Sequence, residues 1–272
     1  MGETTLEPQI VDLELELTAS PDSVWDAISD PAHLSSWFAP QVQQSGASAG
    51  AAVSLVWPEG IEWQTHIAFW REKRHVRWQD AEEPQAPQQI VTDFFIQPDD
   101  EGCRLRVVQS GFAQTPETDE LLEAVAAGWD YYLIHLRHYL THHFGVPRQM
   151  VYARSQFQGG RSEIWRNILD SDTGLVLADA VGLTVGDELN LTFNDRSPLE
   201  GVVESIVPER TLGIRLPELN EALLLVEIET GLLDCQCGFW LSLYDWEQPQ
   251  DFAELLRHKV DSLSLAIEQQ EG

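Results

Sequence analysis

Basic residues are scarce in this chain of 272 residues, which has 16 Lys and Arg against 45 Asp and Glu and a formal net charge of −29. Lysine is nearly absent, because only Lys73 and Lys259 occur. A surface this acidic repels the phosphates of nucleic acids and of anionic membranes, so we expect neither as a partner. The composition is typical of a very soluble protein. More specifically, we expect a halophilic protein adapted to a salt-rich cytoplasm.

Cysteines and long apolar runs are also lacking. Three cysteines do not make a disulfide framework, and no run reaches the roughly 18 apolar residues of a transmembrane helix. The first residues, MGETTLEPQ, have neither the basic start nor the apolar core of a signal peptide. We therefore expect a cytoplasmic protein in a reducing compartment.

Motifs of catalysis are missing too. The sequence has no G-x-S-x-G, H-E-x-x-H, P-loop or G-x-G-x-x-G pattern, so we name no catalytic residue and no cofactor, and we expect a protein that is not an enzyme. His66 and Asp93 lie on predicted strands and are the nearest to an acid–base pair. The sequence does not establish which alternate residues of those strands point inward, so whether the two side chains face the interior stays open.

The first half of the sequence has strand and helix signals in a clear order. In IVDLELEL, residues 10–17, apolar and acidic residues alternate strictly, which predicts a half-buried strand. Ser20-Pro21 and Asp30-Pro31 are helix-start signals and predict two short helices. The segment QQSGASAGAA is a small-residue loop. Strands are then predicted at about 51–57, 62–70, 74–79, 90–97 and 104–112.

Connections of hairpin length between these strands predict an antiparallel sheet. A long helix is predicted at about 119–143, and its apolar stripe consists of Trp129, Tyr132, Leu133, Leu136 and Leu140. A curved sheet has one face to bury, and this helix is the element able to cover it.

The second half repeats this order. SVWDAISD at 23–30 aligns with EIWRNILD at 163–170, and THIAFWREKRHVRW at 65–78 aligns without gaps with GVVESIVPERTLGI at 201–214. A second long helix is predicted in DFAELLRHKVDSLSLAI near the end of the chain. Similarities in the same order indicate a tandem duplication. We place the domains at residues 1–146 and 147–272.

Three segments, PDSVWDAISDPAHLSSWF (21–38), QSGF (109–112) and GWDYYLIHL (128–136), resemble the Bet v 1-like, START-related (SRPBCC) superfamily. The closest resemblance is to its branch named after the activator of Hsp90 ATPase. The resemblance implies an α+β protein with two tandem helix-grip domains, the second one degenerate. Each would have a curved antiparallel sheet wrapped on a long C-terminal helix, with two short helices after the first strand and a cavity between sheet and helix.

Members of this superfamily include binders of apolar ligands, co-chaperone and stress-response domains, and some cyclases and hydrolases, so the fold leaves the function open. Seven aromatic residues are the candidates for the cavity of the first domain: Trp37, Phe38, Trp57, Trp63, Trp78, Trp129 and Tyr132. They either fill the core or line a ligand site. We expect non-enzymatic binding of a small apolar or aromatic molecule. The alternatives are a regulatory contact with a protein partner, Hsp90 or a second copy, and a cyclase- or hydrolase-type enzyme.

Two further clusters contain residue types that bind metals. His135, His138 and His142 share one arc of the long helix, opposite the apolar stripe, so we expect them to face solvent or the second domain. No acidic residue joins them on that arc. Cys235 and Cys237 are separated by one residue, which is too few for the usual zinc spacing. We therefore predict no metal site.

Overall fold

The computed structural model describes residues 9–81, 89–113, 118–157, 160–169, 182–191, 198–230, 235–247 and 249–270. The chain divides into two compact units, Met1–Pro147 and Arg148–Gly272.

In its described residues the first unit is an antiparallel sheet of seven strands with three α-helices. In chain order the elements are β1 (Ile10–Leu17), α1 (Pro21–Ser29), α2 (Pro31–Leu34), β2 (Gln41–Gln44), β3 (Ala52–Val56), β4 (Glu62–Arg71), β5 (His75–Asp80), β6 (Val91–Pro98), β7 (Cys103–Ser110) and α3 (Thr118–His138). The strand order across the sheet is β1-β7-β6-β5-β4-β3-β2.

The second unit has the same kind of sheet with six strands. Its elements are β8 (Arg148–Phe157), α4 (Arg161–Leu169), β9 (Glu188–Leu191), β10 (Leu199–Val207), β11 (Thr211–Leu216), β12 (Ala222–Thr230), β13 (Cys235–Tyr244) and α5 (Gln250–Gln270). The strand order is β8-β13-β12-β11-β10-β9, which matches the order β1-β7-β6-β5-β4-β3 of the first sheet over the described residues. The α+β architecture of two tandem helix-grip domains, predicted from the sequence, is confirmed. The second short helix predicted for the second unit falls on residues 170–181, which lie outside the described residues.

The two short helices begin where their capping residues predict. The Ser20 hydroxyl accepts a hydrogen bond from the Ser23 amide at 3.1 Å, and Asp30 Oδ1 accepts one from the Ala32 amide at 2.8 Å. Trp37 then ties the end of the segment back to α1, because its indole nitrogen donates to the Ala27 carbonyl at 2.8 Å. These bonds fix the direction in which the next residue, Phe38, enters the interior.

Two predictions about elements were incomplete. The segment predicted as a loop begins at Gln43, inside the unpredicted strand β2, and Gln43 pairs with Ser54 on β3. The long helix was predicted as one α-helix to residue 143, but its last turn, Tyr139–His143, is a π-helix. There the Tyr139 hydroxyl accepts from the Gly145 amide at 3.0 Å and lies 2.7 Å from His33 Nδ1.

The internal repeat extends to the details of one hairpin. The β4–β5 pairing shifts register between Ile67 and Phe69, and the β10–β11 pairing shifts between Val203 and Ser205, the aligned positions. The turns also match, because Lys73 and the aligned Glu209 have φ angles of 59° and 63°. The gapless alignment made from the sequence therefore pairs residues with equivalent backbone geometry.

Each unit buries the inner face of its own sheet. In the second unit the core combines strand residues with Ile164 and Ile168 of α4 and Phe252 and Leu256 of α5. In the first unit Trp25 of α1 is buried and meets Trp70 edge-on, with ring centroids 4.9 Å apart. Among the described helices, none combines the length and apolar character of a membrane span.

Candidate functional site

Phe38 lies at the centre of an aromatic cluster in the first unit. Its ring centroid is 4.5 Å from that of Tyr132 and 5.5 Å from that of Trp129, on which it stacks with an interplanar angle of 10°. The remaining rings of the predicted set lie 5.2 to 6.3 Å from Phe38, namely Trp37, Trp57, Trp63 and Trp78. The structure thus brings all seven predicted site residues together. We call this set the aromatic cluster.

Three different parts of the fold supply the cluster. Trp37 and Phe38 follow α2. Trp57 directly follows β3, Trp63 lies on β4 and Trp78 on β5. Trp129 and Tyr132 lie on α3. Trp129 and Tyr132 are one turn apart on the helix, so both side chains point toward the sheet. The cluster is therefore the place where the helix pair, the sheet and the long helix meet.

The cluster is closed at one end and accessible at the other. Trp37, Phe38, Trp78 and Trp129 are buried, whereas Trp57, Trp63 and Tyr132 are partly exposed. The buried rings act as core, and the partly exposed rings form a rim that meets solvent.

Most polar groups of the cluster have a partner. Trp129 Nε1 donates to Gln109 Oε1 at 2.8 Å, and Trp63 Nε1 donates to Asp80 Oδ1 at 2.6 Å. Trp57 Nε1 of the cluster and the neighbouring Thr92 Oγ1 are buried and have no hydrogen-bond partner among the described residues. Thr92 pairs across the sheet with Trp78, so its side chain shares the inner face. Burying such a group without a partner costs about 1–3 kcal/mol.

Sequence reasoning missed several members of this site. Phe94 is fully buried, with its ring 4.9 Å from Trp78 and 5.6 Å from Trp129. The pair Phe94-Phe95 gave no indication of which ring points inward. Gln109 lies in the QSGF segment quoted for the resemblance, but nothing in its sequence context indicates a bond to Trp129.

Asp93 and His66 do not face the aromatic cluster. Asp93 follows the inward-facing Thr92, and its carboxylate binds His75 Nε2 at 2.5 Å and Arg77 Nε at 2.7 Å on the outer face. His66 lies between Thr65 and Ile67, which are both buried, so it points to the outer face as well. The two residues form no acid–base pair in the interior.

The histidines of the long helix only partly follow the prediction. His142 is exposed, but His135 and His138 are buried, with 1% and 4% of their surface accessible. Of the two surroundings predicted, solvent or the second domain, solvent is therefore wrong for these two. Within the described residues there is no group of three His, Cys, Asp or Glu side chains that could hold a metal.

Burial raises the pKa of the Cys103 thiol to about 11, which keeps it protonated.

The fold defines a class, that of α+β proteins with two tandem helix-grip domains. Residues 18–141 match the family described as activator of Hsp90 ATPase homolog 1-like protein. The resemblance predicted from the sequence is thereby confirmed over these residues, which lie within the first unit. No curated protein matches the chain.

Several solved structures are similar at low sequence identity. The di-domain ARO/CYC protein BexL from the BE-7585A biosynthetic pathway is 11% identical, with a TM-score of 0.46, and the match covers 96% of this chain and 95% of that one. DynU16 from the dynemicin biosynthetic locus is 18% identical, with a TM-score of 0.43 and coverages of 96% and 98%. The Aha1 dimer from Colwellia psychrerythraea is 18% identical, with a TM-score of 0.41 and coverages of 48% and 95%.

Proposed function

We propose that the first unit binds one small apolar or aromatic molecule at the aromatic cluster, without converting it. The observation that carries the proposal is the pair of buried, unpartnered polar groups at the aromatic cluster, Trp57 Nε1 and Thr92 Oγ1. Small-molecule sites have this composition, because apolar walls provide affinity and a few polar groups fix orientation.

The position of Trp57 indicates which ligand fits. Its ring contacts Phe38 and Tyr132, with centroids 5.5 and 6.3 Å away, and it is partly exposed at the rim. The indole N–H is a donor only, so its partner must be an acceptor. The ligand that suits the site is an aromatic molecule with one carbonyl, ether or phenol oxygen.

Binding without chemistry is supported by the way in which the carboxylate at the rim, that of Asp80, is engaged. Asp80 accepts the short hydrogen bond from Trp63, which uses one of its oxygens to position a ring of the rim. An acid–base mechanism would need a second titratable group nearby. His66 and Asp93, the pair considered from the sequence, lie on the other face of the sheet.

The test is a fluorescence titration of the full chain with 2-acetylnaphthalene, naphthalene and a fatty acid. Trp57→Phe keeps the aromatic ring and removes the donor. Since one neutral hydrogen bond contributes about 0.5–1.5 kcal/mol, this variant should bind 2-acetylnaphthalene about 3- to 10-fold more weakly and naphthalene unchanged.

Trp70→Phe is the matched control. It is the same substitution in the same unit, but Trp70 packs against Trp25, so both affinities should stay as in the unmodified protein. If no compound of the panel gives a saturable response, the proposal is wrong. If Trp57→Phe weakens both aromatic compounds equally, the indole nitrogen is not the anchor.

The family match favours a second candidate, a regulatory contact with Hsp90. This candidate predicts co-purification with Hsp90 and a change in its ATPase rate on addition of the chain. A change in rate that survives in Trp57→Phe while ligand binding is lost would separate the two functions. An unchanged rate would remove this candidate and leave the ligand-binding proposal intact.

A further inference from the structure

A cleft of about 430 Å³ lies on the outer face of the first sheet, away from the aromatic cluster. It is lined by residues of β1, β4, β5, β6 and β7 and of the β4–β5 turn: Glu14, Phe69, Arg71, Arg74, His75, Phe95, Ile96, Gln97, Arg104 and Arg106. We call it the outer cleft. Its volume lies in the range of sites that hold small molecules.

The outer cleft is rich in positively charged side chains, unlike the acidic chain as a whole. Of the six arginines in the first unit four line it, although the chain as a whole carries −29. Arg106 pairs with Asp12 at 2.5 Å, and Arg104 lies 3.1 Å from Glu16. Arg71 and Arg74 are exposed and make no ion pair with any described residue. Two guanidinium groups therefore remain available to an anion.

Stacked rings form an apolar wall beside these charges. The His75 ring lies 4.2 Å from that of Phe95, with an interplanar angle of 22°, and 4.7 Å from that of Phe69. Phe69 is 43% exposed, which is unusual for a large apolar side chain in the middle of a sheet.

A hydrogen bond to Asp93 fixes the orientation of the His75 ring. Its Nε2 lies 2.5 Å from Asp93 Oδ1, and the Asp93 side chain is only 7% exposed. Arg77 holds the same carboxylate through two bonds, of 2.7 and 3.0 Å. A bidentate pair of this kind is geometrically specific, so the aromatic wall is held in place before any ligand arrives.

We propose that the outer cleft binds a small planar aromatic carboxylate. Guanidinium groups match carboxylates with two parallel hydrogen bonds, which Arg71 and Arg74 can offer. The planar body of the ligand then stacks on Phe69, His75 and Phe95. This site is independent of the aromatic cluster, since it lies on the opposite face of the sheet and selects for negative charge.

The test uses 2-naphthoate as the probe, with 2-naphthylmethanol and acetate as partial analogues, in calorimetric titrations of the full chain at low salt. Naphthoate should bind with saturation, and each analogue at least 10-fold more weakly. The double variant Arg71→Gln/Arg74→Gln should weaken naphthoate binding at least 10-fold. Phe69→Leu should weaken it about 3-fold or more, because a stacking surface is lost.

Lys73→Gln is the matched control. It removes one positive charge from the same turn, but Lys73 pairs with Asp22 at 2.8 Å and does not line the cleft, so affinity should change less than 2-fold. Saturating 2-acetylnaphthalene should leave naphthoate binding unchanged, which separates this site from the aromatic cluster. The proposal is overturned if naphthoate does not saturate, if acetate binds equally well, or if the double variant binds like the unmodified chain.

Discussion

Phe38 is the residue that connects the two interpretations of the aromatic residues, core filling and ligand site. Its ring contacts each of the other six, so it belongs to the packed core. Trp57, at the rim, belongs to the part that meets solvent and keeps an unpartnered donor. The base of the cluster is thus core, and the ligand proposal concerns its rim.

At the same scale, sequence patterns predicted which aromatic residues gather but not what their polar atoms do. The seven rings could be found because the resemblance implies a cavity between the sheet and the long helix, where aromatic residues of the helix pair, the strands and the long helix would meet. The bond from Trp129 to Gln109 depends on how a helix sits on a strand 20 residues earlier in the chain. The outer cleft depends on cross-strand neighbours such as His75 and Phe95, which are also distant in sequence.

Glu227 on β12 gives a prediction of pH dependence. Burial and the nearby Glu229 raise its pKa to about 7, although Arg154 and the Trp240 indole act in the opposite direction. The ordinary value of 4.5 holds in the unfolded chain. Between these two values the folded protein binds more protons than the unfolded one, so this residue makes stability fall as the pH rises from about 4.5 to 7.

Glu227→Gln should remove that loss. We expect the free energy of unfolding of the variant, relative to the unmodified protein, to rise between pH 5 and pH 8, as measured by urea denaturation. Glu218→Gln, an exposed position in the same unit, should show no such trend. A relative stability of Glu227→Gln that stays constant over this range would contradict the raised pKa.

At the scale of elements, local signals explain what could be predicted. Ser20 and Asp30 are capping residues next to prolines, so α1 and α2 could be placed within a residue or two. β2 could not, because its four residues, QVQQ, contain one apolar side chain and its pairing with β3 is the only support for a strand. The π-helical turn could not be predicted either, since its bonds to His33 and Gly145 are tertiary.

The repeated hairpins give a prediction about glycine. Gly50 and Gly186 have φ angles of 91° and 94°, and their amides donate to the Ile67 and Val203 carbonyls, both at 2.8 Å. An added Cβ meets nothing within 4 Å at either position, so the cost of alanine there is backbone strain alone. Gly50→Ala and Gly186→Ala should each destabilise by a similar amount, about 1–2 kcal/mol, in denaturant titrations.

Gly128→Ala is the control for this pair. It lies within α3, where alanine is preferred and an added Cβ has open space, so we expect stabilisation by about 0.5–1 kcal/mol. If one of Gly50→Ala and Gly186→Ala lowers the free energy of unfolding and the other raises it, the two hairpins are not equivalent in energy, whatever their geometry.

At the scale of the whole molecule, duplication preserved the sheet more strictly than the side chains. Both sheets keep the same strand order and the same register shift, yet the family match covers only residues 18–141. Inward positions of the central hairpin that carry Trp70 and Trp78 in the first unit carry Ile206 and Ile214 in the second. Backbone geometry depends on pairing, which many apolar residues satisfy, whereas an aromatic site needs particular rings.

Net charge leads to the last prediction. Raising KCl from about 0.1 M to about 1 M shortens the Debye length from about 10 Å to about 3 Å. Because a charge of −29 destabilises the folded chain through self-repulsion, the melting temperature should rise over this range.

The same salt series should act differently on the two proposed sites. Naphthoate binding at the outer cleft should weaken, because Arg71 and Arg74 are exposed and screened, whereas 2-acetylnaphthalene is uncharged and should keep its affinity at the aromatic cluster. Melting curves and titrations in the same buffers measure all three quantities. A melting temperature indifferent to molar KCl would contradict halophilic adaptation, and parallel salt responses of the two ligands would contradict their assignment to one charged and one neutral site.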